Sequence, residues 1–221
     1  MGKIFPALFL ILLTGCQAYQ VENGKWNYVQ WDEGRGRTAT EVLGADSHTF
    51  KPINSDYSKD DKTVYHFSSP IIGADSHSFV YLGKNYAKDN SHVYYSAKPI
   101  EGADPNTFEI VHAGLGRDKK DFYCLTYALG VIDPSSFKLI NDKWARDQKA
   151  YYAFSSFINY IGKLDCDYSS MKILKKSYAM DKNRGYWEGI PIEGVDLETF
   201  QEVSEVFAKD RYRNYVLNKV R

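Results

Sequence analysis

Aspartates and tyrosines recur through most of the chain with a spacing of 29 residues, interrupted by one step of 34. We number each repeat from its first aspartate, which is position 0; these residues are Asp46, Asp75, Asp104, Asp133, Asp167 and Asp196. A second aspartate stands at position 14 of every repeat: Asp60, Asp89, Asp118, Asp147, Asp181 and Asp210. Position 19 is always tyrosine: Tyr65, Tyr94, Tyr123, Tyr152, Tyr186 and Tyr215. This periodicity indicates a tandem array of six repeats.

Three further positions of the repeat are apolar. Position 4 holds a large side chain: Phe50, Phe79, Phe108, Phe137, Met171 and Phe200. Position 7 is aliphatic: Ile53, Leu82, Val111, Ile140, Leu174 and Val203. Position 11 is aromatic in five of the six repeats, with a leucine in the third: Tyr57, Tyr86, Leu115, Trp144, Tyr178 and Phe207.

These columns predict the local structure of one repeat. Each repeat opens with Asp-x-x-Ser/Thr-Phe/Met, and Asp is a preferred N-cap, while Pro105 and Pro134 suit the first residue of a helical turn. We expect one capped turn that places the residue at position 4 in the core. Polar turns that open with the position 14 aspartate separate stretches rich in strand formers, such as Val93-Tyr94-Tyr95. The pattern predicts an all-β array with about three short antiparallel strands per repeat, either propeller-like or a solenoid.

The N-terminus has the features of an export signal. Residues 4–13 are apolar apart from Pro6 and follow the positive charge of Lys3. The run is shorter than the roughly 20 apolar residues that span a bilayer, and it predicts a signal peptide over residues 1–15. Its ending, Leu13-Thr14-Gly15-Cys16, resembles a bacterial lipobox, which implies that Cys16 is acylated and anchors the chain to a membrane. Under that resemblance, Gln17 in place of an aspartate favours the outer membrane, with the protein in the cell envelope.

The remaining chain divides into two parts. Residues 16–43 are expected to form the lipidated tether and a degenerate capping segment, because terminal repeats are usually atypical; residues 26–31 within it predict a strand. Residues 44–221 form the six-repeat domain.

Charge excludes one class of partner. The chain has 28 Lys and Arg residues against 28 Asp and Glu residues, so its formal net charge is zero. Nucleic-acid binding needs a basic surplus, so we expect no nucleic-acid partner. The apolar content of 43% is sufficient for a packed core.

The irregular step between the fourth and fifth repeats contains five extra residues, within an apolar and aromatic segment. Insertions in repeat arrays fall in loops, often on the binding face. The segment can form a contact surface or pack against the core, and the sequence leaves both alternatives open. Tyr95, Phe157 and Tyr160 are out of register with the repeat columns and are our candidates for a partner surface, whereas tyrosines at position 19 are expected in the core.

Cys124 and Cys166 would lie in an oxidising compartment after export, where a disulfide between them is one alternative. Two separate thiols are the other, because the sequence does not show whether their Cβ atoms approach each other.

The residues that could carry chemistry fit structural roles better. Aspartates recur at cap and turn positions without the clustered spacing of a calcium loop, and His48 and His77 lack further ligands for zinc. No Gly-x-Ser-x-Gly element or local cysteine signature is present in the sequence. One active site would not need six copies of the same Asp and Tyr. We therefore expect no catalytic residues, no metal, no cofactor and no enzymatic activity.

Residues 86–95, Tyr-Ala-Lys-Asp-Asn-Ser-His-Val-Tyr-Tyr, resemble the repeat of the DKNYY family of bacterial envelope proteins, and residues 181–186 carry a similar start and ending. The resemblance covers about residues 44–221, with local departures such as Leu115. It implies a repeat of unassigned function, frequent in lipoproteins, with no catalytic or binding residues to transfer.

Three functions are compatible with this architecture. The first is a lipid-anchored recognition protein that binds a protein or an envelope component without catalysis, of which an immunity lipoprotein is one form. The second is a structural scaffold or assembly lipoprotein of the envelope. The third is an enzyme with an unrecognised site.

Overall fold

The computed structural model describes residues 18–155 and 160–221. These residues form 27 short β-strands and a single 3₁₀ helix, arranged as seven small antiparallel sheets in sequence order. The predicted all-β repeat array is confirmed.

The first four sheets comprise an N-terminal sheet and the sheets of repeats one to three. The N-terminal sheet contains β1 (Tyr19–Glu22), β2 (Lys25–Asp32) and β3 (Gly36–Glu41). Repeat one contains β4 (Lys51–Pro52), β5 (Tyr57–Lys59), β6 (Val64–His66) and β7 (Ser69–Pro70). Repeat two contains β8 (Val80–Gly83), β9 (Tyr86–Lys88), β10 (Val93–Tyr95) and β11 (Lys98–Pro99). Repeat three contains β12 (Glu109–His112), β13 (Leu115–Arg117), β14 (Phe122–Cys124) and β15 (Tyr127–Ala128).

The last three sheets are those of repeats four to six. Repeat four contains the 3₁₀ helix (Pro134–Ser136), β16 (Lys138–Leu139), β17 (Trp144–Arg146), β18 (Tyr151–Ser155) and β19 (Tyr160–Lys163). Repeat five contains β20 (Lys172–Ile173), β21 (Tyr178–Met180), β22 (Gly185–Trp187) and β23 (Ile190–Ile192). Repeat six contains β24 (Gln201–Ser204), β25 (Phe207–Lys209), β26 (Asn214–Val216) and β27 (Lys219–Val220).

Each repeat has four strands, one more than the three predicted. The additional strand is the last of the sheet and has only two residues in most repeats, as in β11, where Pro99 pairs with Tyr94. A two-residue strand lacks the alternating pattern by which strands are recognised in a sequence. The predicted strand at residues 26–31 is confirmed within β2.

The chain separates into two compact units, Met1–Tyr81 and Leu82–Arg221. In the first unit, the N-terminal sheet packs on repeat one: the ring centroids of Tyr19 and Trp26 lie 5.7 and 4.6 Å from that of Phe50. The second unit contains a series of aromatic and aliphatic clusters, one at each junction between consecutive repeats.

The side chain at position 4 joins each repeat to the one before it. The ring of Phe108 lies 5.3 Å from Tyr86 at position 11 of the preceding repeat and 6.2 Å from Tyr123 of its own repeat. Phe200 has the same two kinds of neighbour, Tyr178 at 6.1 Å and Tyr215 at 5.8 Å. Neighbouring repeats therefore complete each other's core.

A carboxylate at position 14, buried in the first five repeats and half-buried in the sixth, organises the polar interior of each repeat. In repeat five, one oxygen of Asp181 accepts the backbone N–H groups of Asn183 and Arg184 at 2.7 and 2.9 Å. The other accepts the N–H of Asp167 and the hydroxyl of Tyr186, both at 2.8 Å. The same four bonds form around Asp60, Asp118, Asp147 and Asp210. The predicted turn role of position 14 is confirmed.

The tyrosines at position 19 are the partners of these carboxylates. All six are almost completely buried, so their predicted core location is confirmed. Burial and the adjacent carboxylate raise the pKa of Tyr65 and Tyr215 to about 12. Burial raises the pKa of the aspartates, but their hydrogen bonds outweigh it and the pKa ends lower than usual, at about 2 for Asp210.

We predict that Asp181→Asn destabilises the protein by about 2–4 kcal/mol, because the new amide NH₂ must face a buried N–H or hydroxyl donor in either orientation. Urea denaturation measures the change in the free energy of unfolding. The control is Asn183→Ala, an exposed side chain in the same turn, for which the change should stay within about 0.5 kcal/mol. Equal effects of the two substitutions would contradict the role of the carboxylate.

We also predict a defined pH range of stability. Aspartates with a lowered folded-state pKa stabilise the protein above their unfolded pKa, and this contribution is lost as the pH falls from about 4 towards 2. Tyrosines with a raised pKa contribute fully below about pH 10, and this contribution is lost as the pH rises towards 12. Burial lowers the pKa of His66, so some stability is also lost as the pH falls below about 6.5. The urea midpoint should therefore be level between about pH 7 and 9 and fall on both sides. A midpoint that rises on acidification below pH 4 would contradict this account.

Candidate functional site

The structure describes two of the three predicted contact residues, Tyr95 and Tyr160. Tyr95 is half-buried and packs edge-on against Tyr86, with their ring centroids 4.9 Å apart. Tyr160 begins β19, and its backbone pairs with that of Ser155. Phe157, like the predicted lipid-attachment residue Cys16, lies outside the described residues.

Cys124 and Cys166 are free thiols in this structure, each half-buried in a different cluster. Cys124 packs in the cluster of Leu115 and Leu129, while Cys166 packs in the cluster of Trp144. Burial raises the pKa of each thiol to about 11, so both are protonated at neutral pH. Of the two alternatives that the sequence leaves open, the structure has the separate thiols.

The two histidines at position 2 lie at the surface. The side chains of His48 and His77 are 92% and 82% exposed and lie near Asp46 and Asp75. Within residues 18–155 and 160–221, no group of three or more His, Cys, Asp or Glu residues is placed to hold a metal ion.

Charged groups of repeats four to six link neighbouring hairpins. Lys143 and Glu188 form a largely buried ion pair at 2.9 Å. Lys176 lies 3.8 Å from Asp142 and 2.8 Å from Glu205, so that position 9 of three consecutive repeats forms a row of alternating charge. These pairs align successive repeats and were not apparent from the sequence, because position 9 has no residue type common to the repeats.

The junction of repeats three and four interrupts the regular packing. At this junction Phe137 stacks on Phe122, with ring centroids 4.0 Å apart, and Leu115 occupies position 11. Beside Leu115 lies a mainly apolar pocket of about 190 Å³. Its lining comes from the hairpin tips of both repeats: His112, Ala113, Gly114, Leu115, Cys124, Leu125, Leu139, Asp142, Lys143 and Phe154.

A second, shallower groove of about 410 Å³ lies at the same junction. Leu139 lines both the groove and the pocket, and Val111 lines the groove. Exposed fractions of 43%, 38% and 41% for Val111, Leu139 and Ile140 leave apolar side chains in contact with solvent. We refer to Val111, Leu139, Ile140 and the lining of the pocket as the junction surface.

The junction surface has the features of a contact surface. Its walls are apolar, its thiol Cys124 is protonated, and Lys143 is held by Glu188. Apolar patches next to polar groups are typical of binding surfaces. One feature of the sequence marks this junction: Leu115 is the single leucine among the aromatic residues at position 11.

None of the helices in the described residues is both long and apolar enough to span a membrane.

Comparison with known proteins identifies the family. The DKNYY family model matches residues 11–98 and 86–219, which together include most of the chain. No curated protein and no solved structure matches the chain. The two overlapping matches fit the repeated sheets, and the chain belongs to the DKNYY family.

Proposed function

We propose that this protein is a lipid-anchored recognition protein of the bacterial envelope, which binds a protein or envelope partner without catalysis. The observation that carries the proposal is the junction surface, where a mainly apolar pocket and a groove lie beside exposed apolar side chains. Repeat arrays commonly provide extended binding surfaces of this kind.

The distribution of polar groups supports recognition over chemistry. The aspartate at position 14 and the tyrosine at position 19 bond to each other in every repeat for which these contacts are described, as in the 2.6 Å bond between Asp147 and Tyr152. Groups that stabilise the fold in this way are not available to act on a substrate. The pocket of the junction surface, in contrast, lies beside Leu115, which is the one non-aromatic residue at position 11.

The proposed anchor is Cys16, and the proposed location is the outer membrane, on the grounds of the lipobox-like ending and Gln17. A lipid anchor would hold the recognition domain at the membrane surface, where it can meet its partner. An immunity protein that neutralises a toxin at the membrane is one specific form of this function.

We predict that Cys16→Ser abolishes incorporation of radiolabelled palmitate in cells and releases the protein from the membrane fraction, because the thiol is the acceptor of the acyl chain. The control is Cys124→Ser, which should label as the wild type does. Undiminished labelling of the Cys16→Ser protein would disprove the anchor.

We predict that the mature chain, with Cys16 replaced by serine, captures one stoichiometric partner from envelope or secreted fractions. Leu139→Asp should lower capture at least about tenfold, because it places a charge between the pocket and the groove. Ile72→Asp is the control, since this residue is 87% exposed in the first repeat and outside the junction surface. Mass spectrometry identifies the partner.

Two outcomes would count against the proposal. A partner captured equally by wild type and Leu139→Asp would show that the junction surface does not bind it. Absence of any saturable partner, together with envelope assembly defects in a deletion strain, would favour a structural scaffold.

A further inference from the structure

The pocket of the junction surface lies where other repeats place an aromatic ring. At the next junction, Trp144 at position 11 is completely buried, and its indole N–H donates to the carbonyl of Lys176 at 2.9 Å. One junction further, the hydroxyl of Tyr178 at position 11 donates to the carbonyl of Leu217 at 3.0 Å. These acceptors are at positions 9 and 21 of the following repeat. A ring at position 11 therefore reaches position 9 or position 21 of the following repeat at these junctions.

Repeat three has Leu115 in place of that ring. The residues at positions 9 and 21 of the following repeat are Asp142 and Phe154, and both line the pocket together with Leu115. The pocket thus occupies the space between the two positions that the ring reaches elsewhere. Smaller neighbours keep it open: Gly114 adopts a left-handed backbone conformation with φ of +75°, and residue 113 is alanine.

The size and chemistry of the pocket fit one aromatic ring. Its volume of about 190 Å³ exceeds the roughly 150 Å³ of an apolar cavity that binds benzene. Its walls include Leu115, Leu125, Leu139 and Phe154. At the two junctions between repeats four and six, the corresponding positions provide carbonyl acceptors, so a ring that carries an N–H or O–H donor reproduces the contacts made there.

The charged residues around the pocket determine which ligand charge it accepts. Glu188 neutralises Lys143 through the buried ion pair, whereas the carboxylate of Asp142 is half-exposed and meets Lys176 only at 3.8 Å. A neutral ligand is compatible with this rim, and a ligand that carries a carboxylate beside the ring is repelled by Asp142.

We infer that the pocket receives a tryptophan or tyrosine side chain of the protein partner, in the place that the array's own aromatic residue occupies at other junctions. This inference rests on the proposed recognition function and specifies what the partner must present. Buried aromatic anchors are the usual centres of binding energy in protein interfaces.

The first test is a titration of the mature Cys16→Ser chain with N-acetyl-tryptophanamide, followed by amide NMR spectra. We expect saturable shifts at Gly114 and Leu125 with a millimolar dissociation constant. N-acetyl-leucinamide and the carboxylate-bearing N-acetyl-tryptophan should bind at least about fivefold more weakly, because one lacks the ring and the other is repelled by Asp142. Absence of saturable shifts at Gly114, or equal binding of the leucine probe, overturns the inference.

The second test fills the pocket from within. Leu115→Trp should raise Tm by about 2–4 °C and lower binding of N-acetyl-tryptophanamide at least about tenfold, because the new indole takes the place of the ligand. Ile72→Trp adds the same side chain to an exposed position and should change neither measurement. A lower Tm for Leu115→Trp with unchanged probe binding would show that the ring does not belong in this space.

Capture of the partner separates the two proposals. If Leu139→Asp abolishes capture and Leu115→Trp does not, the inference about the pocket fails and the recognition function stands. If both substitutions abolish capture, the aromatic anchor is supported. If no partner is captured, the recognition function fails, and the probe titration alone decides whether the pocket binds an aromatic ring.

Discussion

The fold depends on a carboxylate that is removed from water at position 14 of each repeat. A buried charge is costly unless its hydrogen-bonding capacity is filled, and here two turn amides, one amide from the start of the repeat and one tyrosine hydroxyl fill it. The bonds to Asp181 tie the capped turn at Asp167 to the turn between β21 and β22 and to the core residue Tyr186. A strand of two or three residues is too short to be stable by its own ladder, so this centre replaces the length that the strands lack.

Aromatic side chains join each repeat to the next. The position 4 ring of one repeat covers the position 11 ring of the preceding one, as Phe200 covers Tyr178, so a single repeat cannot close its own core. Ion pairs such as Lys176 with Glu205 add alignment between hairpin tips. Within this regular scheme, a change in one column alters one junction. Leu115 is such a change, and the pocket and exposed apolar side chains of the junction surface accompany it.

The repeat array was predictable from the sequence, because six repeats share the same or similar residue types at positions 0, 4, 14 and 19. The cap at Asp46, which accepts the N–H of His48, and the buried Tyr65 follow from residue type and spacing alone. The fourth strand did not, since two-residue strands carry no pattern. Neither did the left-handed backbone of non-glycine residues at hairpin tips, such as Leu125 with φ of 54°, because these residue types do not signal that conformation. The binding of four backbone amides by Glu202 was not predictable either, because it joins two neighbouring repeats. The pocket required the structure, although its cause, Leu115, was visible as a departure from the column.

Site-specific photocrosslinking in living cells tests directly whether this array binds a partner through the junction of repeats three and four. A benzophenone amino acid would be placed at Val111, at Ile140 and, as the control, at Ile72, all of which are solvent-exposed. We expect one covalent adduct of the same mass from Val111 and Ile140 and none from Ile72. Adducts from Ile72 alone, or equal adducts from all three positions, would contradict it.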